Sequence, residues 1–148
     1  AIAAVAGTEA LPRCQPTQPV GILHIHARDD THVRFDGGAG PDAFRDASKV
    51  MDFVSVPTTI SRWVTRQHCS PTARRTLEVP GAYCEGHAGC EGGVEVKLCV
   101  TASGGHAWPG SPGTRLGRKP APSQALSANA QAWAFFQAQS QAQAARPR

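Results

Sequence analysis

No apolar run in this chain approaches the ~18–20 residues that a membrane-spanning helix requires, so a transmembrane helix is excluded and no membrane partner is expected. Charge is also scarce: charged residues make up 18% of the 148, and the formal net charge is only +4. The basic residues are scattered except for Arg115, Arg118 and Lys119, which argues against a nucleic-acid partner. Neither an initiator methionine nor a basic segment precedes the opening Ala1–Gly7 run, so it does not read as a secretory signal peptide. It reads instead as a buried strand entered midway. The five cysteines imply an oxidising compartment, and their odd count leaves at least one thiol without a partner in the chain. Both features point to a piece of a longer polypeptide.

What is present is enough for one domain. Apolar residues reach 41%, too many for a disordered chain, while 15 glycines and 12 prolines assign much of the length to loops. After the breakers Pro12, Pro16 and Pro19, the segment Val20–His26 is rich in branched residues without clean alternation, as in a parallel strand covered on both faces. Residues 29–40 are polar and glycine-rich, a loop leaving that strand. Pro57 opens a helix over residues 57–68, with Ile60, Trp63, Val64 and Gln67 at spacings of three and four. Residues 70–93 read as an irregular connection with a short strand near Arg75–Val79. Val94–Val100 alternates and forms a strand. A loop over 103–122 leads to a helix capped by Ser127 and carrying Ala130, Trp133, Ala134 and Phe136. The Gln/Ala stretch from Gln137 to Ala145 extends that helix as a solvated tail, separate from a domain over 1–136. Trp63 and Trp133, at helical spacing, are read as core residues.

Strands alternating with helices predict a parallel sheet joined by right-handed crossovers, with ligand chemistry at the carboxyl ends of the strands. Asp29, Asp30 and His32 follow one strand and His106 follows another. An acid and a histidine on neighbouring strand ends suit a base oriented and charged by a carboxylate, two of the three parts of a hydrolytic triad. His24 and His26 are read as strand histidines satisfied by neighbouring polar groups.

The residues carry a resemblance. His24-Ile25-His26-Ala27-Arg28-Asp29-Asp30-Thr31-His32-Val33-Arg34-Phe35-Asp36-Gly37-Gly38 resembles the His-x-His-Gly-Thr-x-Asp-x-x-Val-Pro-Tyr/Phe-x-Gly-Gly stretch of the secreted polyhydroxybutyrate depolymerase and feruloyl esterase group. Ser103-Gly104-Gly105-His106-Ala107-Trp108-Pro109-Gly110 is similar to that group's Gly-Gly-Gly-His-x-Trp-Pro-Gly stretch, which carries its triad histidine. Cys90–Leu98 resembles the strand leading into it, and Ser127-Ala128-Asn129 with Trp133, Phe135 and Phe136 resembles the closing helix. The resemblance implies the C-terminal half of an α/β-hydrolase fold, with about three parallel strands, crossover and closing helices. It further implies a secreted serine carboxylester hydrolase without cofactor or metal, acting on a polyester or a feruloylated polysaccharide. His106 would be the general base, Asp30 its orienting acid, with Asp29 the alternative after a shift of one residue, and Trp108 would line the substrate pocket. A Cys69–Cys90 bridge is implied too; Cys99 is then a buried thiol, and Cys14 and Cys84 pair with each other or with sequence outside the chain.

This chain departs from the pattern at Ala27 and Arg28, which replace Gly-Thr, and at Arg34, which replaces a proline. No Gly-x-Ser-x-Gly nucleophile elbow occurs anywhere in it, so the chain alone is expected to be inactive and to need a further segment to complete the site. A sheet edge left open where that segment belongs is expected to cause poor solubility or association. The competing expectations are a non-catalytic interaction module, stabilised by disulfides or by zinc on Cys84, His87 and Cys90, and an inactive truncated product. Cys69 lies upstream of the zinc set, and His24, His26, Asp30 and His32 form a second candidate cluster. No second Cys-x2-Cys knuckle closes the zinc set, which favours disulfides.

Overall fold

The structure, a computed structural model, describes residues 1–11, 13–44, 46, 52–113 and 121–145. Pro12 and the basic cluster Arg115, Arg118 and Lys119 lie outside the described residues. In chain order the elements are β1 (Ile2–Val5), β2 (Ile22–Ala27), α1 (Val56–Arg66), β3 (Arg74–Val79), β4 (Ala82–His87), β5 (Val96–Thr101) and α2 (Ala128–Ala144), with a 3₁₀ turn at Glu91–Gly93. All six residues of β2 are buried, as its branched, non-alternating sequence requires of a strand covered on both faces.

The five strands form one sheet in the order β1-β2-β5-β4-β3. β1, β2 and β5 run parallel, whereas β4 is antiparallel to both β5 and β3. This mixed sheet, with only two α-helices among the described residues, corrects the expectation of a hydrolase C-terminal half built on about three parallel strands. The difference comes from residues 70–93, whose glycines and prolines read as an irregular connection. The short strand expected near Arg75–Val79 is there as β3, but the segment continues into β4, and the two form a hairpin reversing at Pro80-Gly81, where Gly81 takes φ 81°. Ala82, Cys84 and Gly86 are buried and alternate with half-buried Tyr83, Glu85 and His87, a period of two that the small and charged side chains disguise.

Two apolar layers cover the sheet. On one face Ile22, Val96, Leu98 and Val100 pack with Val56 and Ile60 of α1. On the other, Leu23, Ile25, Cys84 and Cys99 pack with Ala128 and Phe135 of α2. Ser55 caps α1 by accepting from the Thr58 N–H (3.1 Å). The helix ends in a Schellman arrangement: the N–H of Cys69 bonds Val64 O and that of His68 bonds Thr65 O, with His68 in the left-handed region at φ 51°. This places Cys69 for its disulfide to Cys90, which fastens the end of α1 to the turn before β5.

The remaining differences concern faces and partners. β1 is not a buried strand but an edge strand, with Ile2 51% exposed. Trp63 packs against the core, but Trp133 is 65% exposed, because α2 turns Ala128, Phe135 and Gln139 inward. An alanine-rich helix offers little contrast between its faces, so spacing alone did not reveal the buried one. Gln139 sits against Gly21 and accepts from the Glu95 N–H, so the Gln/Ala stretch is packed in part.

Cys99 is not a free thiol. It is bonded to Cys84, its direct opposite in the β4–β5 register, which leaves Cys14 as the free cysteine. The Cys84→Ala/Cys99→Ala double variant is expected to lose roughly 3 kcal/mol of stability from the chain-entropy term alone, more if the buried site does not close. Urea unfolding at neutral pH measures this loss; an unchanged midpoint would contradict it.

Candidate acid–base site

Parallel pairing of β2 with β5 sets the carboxyl ends of these strands side by side, and the Arg28 N–H extends the ladder to Thr101 O at 2.9 Å. Asp29 and Asp30 leave the first end and Gly104–Gly105–His106 the second. Asp30 closes a tight turn on itself, Oδ1 accepting from the N–H groups of His32 (2.8 Å) and Val33 (3.0 Å). Its Oδ2 accepts from Nδ1 of His106 at 3.0 Å. The Asp30 side chain is wholly buried, whereas that of His106 is 38% exposed, so the pair joins a sealed acid to an accessible base.

Burial alone would raise the Asp30 carboxyl pKa. The hydrogen bonds from His26 and His106 and from the backbone of His32 and Val33 outweigh it, and hold the group at about 2 against an ordinary 3.8. Asp30 is therefore an anion at any pH where His106 could act as a base. With Nδ1 of His106 donating to a carboxylate, a neutral ring has its lone pair on Nε2, the tautomer a general base requires.

Asp29, the alternative acid, does not touch the imidazole. Its two oxygens accept from the backbone N–H groups of Gly105 (2.8 Å) and Gly104 (3.3 Å), binding the loop that carries the base to the loop that carries the acid. Gly104 has φ 130°, and a Cβ there would lie 2.7 Å from Ser123 N, so the turn before His106 is open only to glycine. His32 stacks on the His106 ring, centroids 4.8 Å apart. Trp108 is half exposed and donates through Nε1 to Asn129 Oδ1 (3.0 Å) at the start of α2. The departures from the motif have distinct places: Arg28 lies over the Phe35 ring and donates to Tyr83 Oη, and the Arg34 N–H reaches Gly38 O, a contact proline cannot make.

His24 and His26, two residues apart and so on one face of β2, are buried and stacked. Nε2 of His26 lies 2.8 Å from Val33 O and 3.3 Å from Asp30 Oδ2. The sequence gives no sign of this contact beyond the spacing of the two histidines. The zinc reading loses its ligands, because Cys84 and Cys90 are both in disulfides and Nδ1 of His87 lies 2.9 Å from Ser70 O. Among the described residues no group of three or more His, Cys, Asp or Glu side chains is arranged to hold a metal ion.

The geometry defines a carboxylate–imidazole pair of the kind that moves a proton on and off an oxygen. Over 95 residues, 64% of its length, the chain is 30% identical to feruloyl esterase B of Piromyces equi. The match covers 17% of that protein. The similarity is to an esterase, and the two disulfides fit an oxidising, extracellular setting. No family model matches the chain, and no solved structure matches it.

Proposed function

We propose that this chain supplies the acid and the base of a serine carboxylester hydrolase acting on a feruloylated polysaccharide ester or a polyhydroxyalkanoate-type polyester, outside the cell. The observation that carries the reading is the 3.0 Å bond from Nδ1 of the accessible His106 to the sealed Asp30; the likeness to an enzyme named feruloyl esterase supports it. His106 takes the proton of a serine hydroxyl through Nε2 as that oxygen attacks the ester carbonyl. Asp30 stabilises the imidazolium and keeps the ring oriented, and His106 then protonates the leaving alcohol. Trp108 offers an aromatic wall beside this site for an acyl group. The chain has no Gly-x-Ser-x-Gly, and among the described residues no serine or cysteine is hydrogen-bonded to His106. The nucleophile in this reading comes from polypeptide outside the 148 residues.

The test is hydrolysis of a feruloyl ester by the polypeptide that joins this chain to its serine-bearing segment. His106→Ala is expected to lower kcat/KM by about 10²–10⁴-fold, the usual worth of a positioned general base. Wild-type rates in that variant would overturn the reading and favour a non-catalytic, disulfide-stabilised module.

A further inference from the structure

The two buried histidines of β2 adjoin Asp30, His26 approaching the same carboxylate oxygen as His106, and the proposed reaction does not require them. Their hydrogen bonding can be solved. Val33 O can only accept, so Nε2 of His26 carries a proton and donates to it at 2.8 Å. In the neutral ring Nδ1 of His26 is then an acceptor, and the donor facing it at 3.1 Å is Nε2–H of His24. Burial, and then the neighbouring His26, hold the His24 pKa at about 3, so His24 is neutral and its proton has this one geometry. The N–H edge of His26 lies 3.3 Å from Asp30 Oδ2, the same oxygen that receives His106. Val33, whose carbonyl His26 holds, also donates its own N–H to Asp30 Oδ1 (3.0 Å). The one Nε2–H of His26 thus acts on the acid in two ways, by its longer approach to the carboxylate and through the Val33 carbonyl of the turn that orients it.

We infer that His26 is a positioning residue for the acid–base pair, holding Asp30 as an oriented anion, with its tautomer set by the Val33 carbonyl and its remaining ring nitrogen satisfied by His24. The inference rests on the reading of Asp30 and His106 as that pair. A histidine kept only for packing would be replaceable by an apolar side chain of like size without effect on the carboxylate. A positioning donor would be replaceable only by another donor, and glutamine places an N–H near the location of Nε2.

The experiment is carbon-detected NMR titration of the Asp30 carboxyl in the 148-residue chain. The groups facing that carboxyl are the rings of His26 and His106 and the N–H groups of His32 and Val33. His26→Leu is expected to raise the Asp30 pKa by about one unit, a tenfold change in proton affinity, while His26→Gln leaves it close to wild type. His106→Ala separates the two levels. If it does not raise the Asp30 pKa, the pair itself is not formed in solution and the functional reading fails. If it does raise it and His26→Leu does not, the positioning role fails alone. Should His26→Leu not fold, nitrogen NMR of the wild-type rings still decides: protonated Nε2 on both His24 and His26 is expected, and a His26 ring without a proton on Nε2 would overturn the inference.

Discussion

Asp30→Asn is expected to lower kcat for ester hydrolysis by about 10⁴-fold in the joined polypeptide, with KM nearly unchanged, since only the protonation state of the base is altered. The carboxamide oxygen can keep accepting from the N–H groups of His32 and Val33, so the turn survives. The amide nitrogen then stands where Oδ2 was, facing Nδ1 of His106 and Nε2 of His26, two positions that both donate in the wild type. A donor opposite Nδ1 drives the His106 proton to Nε2, and the nitrogen that should take the serine proton already holds one. Steady-state kinetics on a feruloyl ester measures the effect. A fall of less than tenfold would mean that Asp30 does not set the tautomer.

The second large effect is on stability in acid. His24 has an ordinary pKa of 6.5 and is held at about 3 by burial and by His26. A histidine whose folded value is depressed binds a proton in the unfolded chain first, so its contribution is complete above pH 6.5 and is lost as pH falls toward 3. The loss is about 2 kcal/mol at pH 5 and approaches 5 kcal/mol near pH 3. Asp30 acts lower down. Its carboxyl is depressed from 3.8 to about 2, so its contribution is present above 3.8 and disappears as pH drops through that window, costing about 2 kcal/mol in full. Urea midpoints taken from pH 7 to pH 4 are expected to decline steadily in the wild type and to flatten in His24→Leu. That variant also begins about 1 kcal/mol lower at pH 7, because His26 Nδ1 has lost its donor. Equal wild-type midpoints at pH 7 and pH 5 would contradict the assignment of His24 as a buried neutral ring.

The parts of this protein that could be read from sequence are those whose signal is local. The branched run of β2, the alternation of β5 and the starts of both helices, read from Pro57 and from the Ser127 cap, fall within a residue or two of their expected places. Asp30, His106 and Trp108 stood out through their motifs, and the structure sets the first two in contact. The β3–β4 hairpin was hidden because glycine and proline mark a tight reversal as readily as an irregular loop. The Cys84–Cys99 link followed it into obscurity, since a cross-strand pair is visible only once the register is known. The face of α2 was unreadable for want of contrast, and Asp29 and Asp30, adjacent and identical in type, differ only in what each meets, backbone N–H groups of the facing loop for Asp29 and the His106 ring for Asp30.

That last difference has a mechanical consequence. Because Asp29 is bonded to the peptide N–H groups of Gly104 and Gly105, immediately before His106, while Asp30 is bonded to the imidazole, the two surface segments are riveted at successive residues. A thermal displacement of one drags the other along with it. The spacing between imidazole and carboxylate is thereby insulated from loop motion that would otherwise pull them apart.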